Sequence, residues 1–256
     1  NYKDNYHSVH PNTLYPQDVI RYLHYANNKS MFIQCGDSPY IGDNFPVLVK
    51  TRDSHKPPGQ QNGVVANLNS ARHFGEIGIC SDTPWNYKFK EMVWRGADTG
   101  WDGSRLNFVK KFGEHHNVGF SHYVQDAFEH EELYQDPSLI RGHMPQAEML
   151  RYKYLPVLDG NDKSSSLGWV MASGSVPLMP KPRYHSWVCE PWMLPGVHYV
   201  EVERDWSNLG ERLEWCRNND DKCKEIADNG EAFMIQFTDK RREMHIESRL
   251  AQFCAT

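Results

Sequence analysis

Apolar and polar positions change period several times along the chain, and each change marks an element. Residues 12–29 carry Val19, Ile20, Tyr22 and Leu23 at helical spacing, behind Thr13 as a cap and Pro16 in the first turn. That spacing predicts a helix. Met31-Phe32-Ile33 then reads as a short buried strand running into the loop Cys35-Gly36-Asp37-Ser38-Pro39. Phe45 to Lys50 forms a second strand. Residues 51–63 are rich in Lys, Pro, Gly, Gln and Asn and read as a loop, with a weak strand over 64–68. From Glu91 the pattern becomes regular. A strand at Met92-Val93-Trp94 meets a Gly-rich loop (Gly96, Gly100, Gly103), and a helix follows over 104–112. Strands are expected at 117–124, 152–158, 175–179 and 198–202, and helices at 164–172, 208–216, 221–237 and 240–253.

Strands alternating with helices over residues 90–237 predict an α/β fold with a parallel sheet, and residues 1–89 predict a smaller α/β unit. Parallel sheets of this kind take ligands beyond the carboxyl ends of their strands. Three polar loops lie at such ends: Cys35 to Pro39, Arg95 to Arg105, and Asp159 to Ser166.

Composition narrows the possibilities. The 256 residues are 39% hydrophobic and 24% charged, which excludes a disordered tail or a coiled coil. Lys and Arg number 28 against 33 Asp and Glu, a net charge of −5, so no broad nucleic-acid footprint is expected. The mean hydropathy is −0.72, and no apolar run approaches the roughly 20 residues of a membrane span. Six scattered cysteines include no Cys-x-x-Cys, so a zinc site is not expected and free thiols are. Cys216 and Cys223 are seven residues apart, and a bridge between them is the alternative. The histidines form no tight ligand set, and no Asp-x-Asp or Gly-x-Ser-x-Gly occurs.

Three constellations could carry chemistry. In Trp94-Arg95-Gly96-Ala97-Asp98-Thr99-Gly100 to Arg105, a strand feeds a Gly-rich turn and a helix start, a setting that suits a phosphate. Arg95 and Arg105 could each donate charge-assisted bonds to a diphosphate; the plainer alternative is a strand-to-helix turn with surface arginines. The stretch lacks the Gly-x-Gly-x-x-Gly and Walker patterns. In Asp159-Gly160-Asn161-Asp162-Lys163-Ser164-Ser165-Ser166, serine hydroxyls and amides could hold another phosphate, or Ser164 could simply cap a helix. Asp37, at the end of a buried strand, could be a general base or a turn residue before Ser38-Pro39.

Taken in order, these motifs resemble the CAP10-like glycosyltransferases, which include Rumi-type protein O-glucosyltransferases and fungal capsule xylosyltransferases. The resemblance spans roughly residues 30–238. It is strongest from Gly174-Ser175-Val176 to His198-Tyr199-Val200-Glu201-Val202, then Asp205-Trp206-Ser207-Asn208-Leu209, Ile226-Ala227 and Gly230. Trp94-Arg95-Gly96 to Thr99-Gly100, with Arg105 downstream, is similar to the family's Trp-Arg-Gly-x-x-Thr-Gly and its following Arg, and Tyr152-Lys153-Tyr154 to Asp159-Gly160 also matches.

The resemblance implies two Rossmann-like lobes of GT-B type with a reduced N-terminal lobe. Residues 1–89 would form the acceptor-side lobe with the general base, 90–238 the UDP-sugar-binding lobe, and 239–256 a closing helix. It implies inverting, metal-independent transfer from a UDP-sugar, with no cofactor, to a hydroxyl of a glycan or protein acceptor. Xylose is the favoured sugar, then glucose. Asp37, followed by Pro46-Val47, matches the family's base, and Arg95, Gly96, Thr99, Arg105, Asp159, Gly160, Lys163, Ser164, Ser166 and Arg183 would meet the donor. One departure stands out: Ser166 occupies the place where the family's Ser-x-Arg carries its arginine, so either Lys163, Lys181 or Arg183 supplies that charge or donor binding is weaker. The departure also leaves room for an alternative, a sugar- or nucleotide-binding module without catalysis. Trp101, Trp187 and Trp192 are candidates to stack on sugars. A cytoplasmic location is expected, or the endoplasmic reticulum or Golgi lumen if a leader has been removed.

Overall fold

A computed structural model describes residues 15–27, 29–37, 46–56, 63–73, 83–100, 103–124 and 136–255. They belong to two compact units. Unit 1 takes Asn1–Glu76, Arg183–Glu190 and Phe237–Thr256; unit 2 takes Ile77–Pro182 and Pro191–Gln236.

The chain opens in unit 1 with α1 (Tyr15–Tyr25), β1 (Phe32–Gln34), β2 (Val47–Val49), β3 (Arg52–Asp53), β4 (Gly63–Val65) and the short α2 (Ser70–His73). Unit 2 follows with β5 (Phe89–Ala97), α3 (Ser104–Phe112), β6 (Asn117–His122), α4 (Gln146–Met149), β7 (Tyr152–Pro156), α5 (Leu167–Met171) and β8 (Val176–Met179). The chain returns to unit 1 for β9 (Tyr184–His185), goes back to unit 2 for β10 (Val200–Glu201), α6 (Leu209–Asn218) and α7 (Asp220–Ile235), and ends in unit 1 with α8 (Lys240–Cys254).

In unit 1 a three-stranded parallel sheet runs β1-β2-β4, with Ile33 opposite Leu48 and Leu48 opposite Val64. The central strand Val47-Leu48-Val49 is wholly buried, as a strand covered on both faces must be. The inward stripe of α1 is Tyr15, Asp18 and Tyr22, while Ile20 from the expected apolar face is 68% exposed. Polar anchoring explains that rotation. Asp18 accepts hydrogen bonds from the Ser70 amide (3.1 Å) and hydroxyl (2.6 Å), and the Tyr22 hydroxyl accepts from the Asn67 amide at 2.9 Å. The closing helix α8 packs on α1. Ala251 and Cys254 join Tyr15, Tyr22, Leu48 and Leu68 in one core, and the Glu247 carboxylate forms an ion pair with Arg21 (3.0 Å) and accepts a hydrogen bond from the Asn67 side chain (3.0 Å).

In unit 2 a five-stranded, wholly parallel sheet runs β10-β8-β7-β5-β6. The α/β class with a parallel central sheet is therefore as expected. Its core gathers around Trp94, whose ring meets Phe108 of α3 and Phe120 of β6 edge-on, each at 6.0 Å; Phe108 also meets Trp206 at 4.6 Å. Each such aromatic contributes on the order of 1.5–3 kcal/mol by burial. Helix α7 lies close to α5 because Gly230 has no side chain: a Cβ there would sit 3.2 Å from the Met171 carbonyl.

Several elements differ from expectation. Residues 51–63, expected as a loop, contain β3, which pairs antiparallel with β9. The helix expected from Ser164 begins at Leu167 and lasts five residues. Strand β10 covers Val200–Glu201 instead of 198–202, since residues before it form a loop closed by the Leu194 amide on His198 Nδ1. The five described cysteines are free, and Cys223 Sγ lies 3.6 Å from the Cys216 carbonyl. Cys80 lies outside the described residues.

Candidate active site

Strand order decides where unit 2 can hold a ligand. The chain places β6 on one side of β5 and β7 on the other. Loops leaving the carboxyl ends of β5 and β7 therefore diverge, and a crevice opens at this switch of direction. Arg105, in the first turn of α3, fills it. Its guanidinium donates to the Ala97 carbonyl (3.0 Å) and the Thr99 hydroxyl (2.7 Å) on the β5 side. On the β7 side it donates to the carbonyls of Leu158 (2.9 Å) and Asp159 (2.9 Å). The loops are joined again where the Gly100 amide donates to Asn161 Oδ1 at 3.0 Å.

Local chemistry permits this closeness. Gly103, the residue before α3, has φ +67, a left-handed turn that favours glycine. Gly160 is needed for space: a Cβ there would stand 2.9 Å from Thr99 Oγ1 and 3.2 Å from an Arg105 nitrogen. Asp98 is buried and accepts from the Val124 amide at 2.7 Å, tying the β5 loop to the end of β6. The structure thus brings together Thr99, Arg105, Asp159 and Gly160.

A second arginine reaches the same place. Arg204, after β10, donates to the Lys181 carbonyl at 2.6 Å and lies 3.7 Å from the Asp159 carboxylate. Arg204 is not among the residues expected at the site; its signal in the sequence is its place just beyond a strand's carboxyl end. Lys163 and Ser164 are buried beside this loop, and the Ser164 and Ser166 hydroxyls are 2.9 Å apart. Helix α5 is too short for its amides to form an effective anion site, and Ser164 stands before its start rather than at its cap.

Other expected residues go elsewhere. Arg95 is not brought to Arg105. Its guanidinium donates to the Trp94 carbonyl (2.8 Å), the Asn117 carbonyl (2.9 Å) and the Asn117 side chain (2.6 Å), at the start of β6. Asn117 in turn donates to the Tyr152 hydroxyl at 3.0 Å. Burial, then the charge of Arg141, pushes the Arg95 guanidinium below its usual range. Neighbouring Gly96 is required by the Trp94 ring, which a Cβ would meet at 2.5 Å. Arg183 belongs to unit 1, where it forks onto Asp53 with contacts of 2.8 to 3.2 Å and secures β3 to β9. Trp187, also of unit 1, is buried and donates to Glu243; Trp192 of unit 2 is 67% exposed. Trp101 lies outside the described residues.

In unit 1 the ends of two adjacent parallel strands hold Asp37 and Lys50. The Lys50 ammonium, 2% exposed, lies 2.5 Å from Asp37 Oδ1, and the Asp37 side chain is 36% exposed. A buried ammonium thus fixes a carboxylate that solvent can reach. Gly36 is tethered by the Tyr15 hydroxyl, which donates to its carbonyl at 3.2 Å. Among the described residues no helix is long and apolar enough to cross a membrane.

A parallel α/β sheet with arginine-stitched loops at its switch point is the architecture of a protein that binds a ligand at the sheet's carboxyl edge. The chain belongs to glycosyl transferase family 90, whose model matches residues 76–242. It is 32% identical over 233 residues to the O-glucosyltransferase LpsA of Dichelobacter nodosus, covering 90% of this chain and 68% of that one. It is 27% identical over 212 residues to protein O-glucosyltransferase 2 of Danio rerio, covering 81% of this chain and 39% of the relative. Human protein O-glucosyltransferase 3 is 26% identical over 196 residues, covering 74% and 35%. The chain therefore spans about two thirds of the bacterial relative's length and little more than a third of the animal relatives' lengths.

Proposed function

We propose that this protein moves a sugar from a UDP-sugar to a hydroxyl of a glycan or protein, with inversion and without a metal ion. In this reading unit 2 takes the donor, unit 1 contributes the general base Asp37, and the two units are the lobes of a GT-B enzyme. The observation that carries it is the Arg105 cluster at the switch point of the unit 2 sheet. Family 90 membership and the names of the relatives support sugar transfer, and those names move the donor preference from xylose to glucose.

The chemistry follows from the charges. The Asp37 carboxylate takes the proton of the acceptor hydroxyl. The acceptor oxygen bonds to the anomeric carbon as the bond from that carbon to the diphosphate oxygen breaks, and UDP leaves with the electron pair. Attack from the face opposite the leaving group inverts the centre. Charge grows on the diphosphate, and preorganised cationic donors near it lower the barrier; loss of one such donor costs on the order of 10²–10³ in rate.

A donor screen tests this. UDP release should occur with UDP-glucose or UDP-xylose plus acceptor and persist in EDTA. No turnover with any donor overturns the enzyme, and UDP binding without turnover would mark a binding module. Loss of activity in EDTA overturns metal independence. Asp37→Asn should abolish turnover while UDP still binds. Because Asp37 also balances the buried Lys50, its melting temperature must be measured alongside.

A further inference from the structure

A diphosphate carries at least two negative charges, and the cations expected to meet it are largely committed elsewhere. Arg95 is turned to Asn117, Arg183 serves Asp53 in unit 1, and the Lys163 side chain is buried. Arg105 distributes its guanidinium among four acceptors of its own protein.

Arg204 is placed differently. Its side chain is 49% exposed and stands at the same carboxyl edge of the same sheet. Strands β10 and β7 are separated by β8, a span of about 9.6 Å at the usual strand spacing. Arg204 crosses that span. It is braced on the Lys181 carbonyl beyond β8 at 2.6 Å and points one nitrogen at the Asp159 carboxylate beyond β7 at 3.7 Å. Asp159 is also the residue whose carbonyl takes the Arg105 Nε–H at 2.9 Å. Two guanidinium groups therefore converge on one residue, one on its main chain and one on its carboxylate.

We propose that Arg204 is a donor-binding residue that grips the diphosphate, and that Asp159 is the counter-ion it exchanges for that group. This rests on the reading of unit 2 as the donor-binding unit. The exchange is favourable on elementary grounds. A half-exposed ion pair longer than a hydrogen bond contributes little. A diphosphate offers more charge and paired oxygens that fit the guanidinium fork. The brace on Lys181 keeps the guanidinium at the sheet edge during the exchange.

Calorimetric titration of UDP and of uridine into the wild-type protein, Arg204→Ala, Arg204→Lys and Lys181→Ala tests this. Arg204→Ala should weaken UDP binding roughly 10- to 100-fold, the size of a lost hydrogen bond to a charged group, and leave uridine binding within about twofold. Arg204→Lys should recover part of the loss, and Lys181→Ala should change UDP binding by less than about twofold. Wild-type affinity for UDP in Arg204→Ala overturns the assignment, as does an equal loss for uridine or a larger loss in Lys181→Ala. A wild-type protein that binds no UDP overturns the donor-binding reading itself, so the two failures are distinct.

Discussion

Replacing Arg105 with Ala removes a guanidinium that makes four hydrogen bonds, three to main-chain carbonyls and one to the Thr99 hydroxyl. A hydrogen bond to a charged group contributes about 1.5–3 kcal/mol. Arg105 is half-buried, so water can replace part of what is lost. Four bonds at the lower figure, halved for that solvent, give about 3 kcal/mol. At about 2–4 °C per kcal/mol for a unit of this size, unit 2 should melt roughly 6–12 °C lower. Far-UV circular dichroism during heating measures the shift. Hydrogen exchange supplies a local readout, because the Gly100 amide, bonded to Asn161 Oδ1, should lose protection when the loops part. Arg105→Lys keeps the charge but not the fork and should recover less than half of the loss. A variant melting within about 1 °C of wild type, with Gly100 still protected, would refute the claim that Arg105 joins the loops. If melting falls as expected while UDP affinity does not, Arg105 is a scaffold residue alone.

Two further outcomes follow from neighbouring geometry. Gly160→Ala should cost about 1–3 kcal/mol, because its methyl must displace Thr99 Oγ1 from 2.9 Å and disturb the Arg105–Thr99 bond; melting of the variant checks this, and an unchanged melting temperature contradicts it. Burial acts to raise the Asp53 carboxyl, but the Arg183 hydrogen bonds, the His55 amide and nearby positive charge outweigh it and hold the carboxyl below its usual range. Its stabilisation is therefore full above the unfolded value near pH 4 and is lost as pH falls through the folded one. The melting difference between wild type and Arg183→Met should narrow between about pH 5 and pH 2, and a constant difference across that range would exclude the linkage.

Much of unit 2 was legible because its signals are local. Gly103 followed by Ser104 marks the start of α3, and the observed helix, Ser104–Phe112, matches the expected span. The alternation of β5, α3 and β6 was likewise readable from periodicity. The pairing of β3 with β9 was not. Two-residue strands leave no period, and the Asp53–Arg183 fork that secures them joins residues 130 apart in a stretch that reads as loop. Side-chain direction was also hidden. Arg95 and Arg105 look equivalent in sequence, one before and one after a Gly-rich turn. A helical side chain leans toward the helix's amino end, so Arg105 in the first turn of α3 covers the preceding loop. A strand side chain stands off the sheet face, so Arg95 meets Asn117 of the neighbouring strand instead.

That difference in direction separates two tasks that the sequence had assigned to one pair of arginines. Arg105 spends its donors on the protein, which fixes the loops before any ligand arrives and leaves Asp159 held from its carbonyl side. Arg204 donates to the main chain at Lys181 and meets Asp159 across a longer ionic contact. Preorganisation and ligand charge balance pull in opposite directions within a single side chain, since a donor already satisfied by a carbonyl gains little from a phosphate. In the proposed site, dividing them would let a chain of net charge −5 hold an anion locally: one arginine sets the shape of the crevice, and the other supplies the mobile charge. Loss of Arg105 should therefore appear first in melting and loop protection, whereas loss of Arg204 should appear first in the difference between UDP and uridine binding.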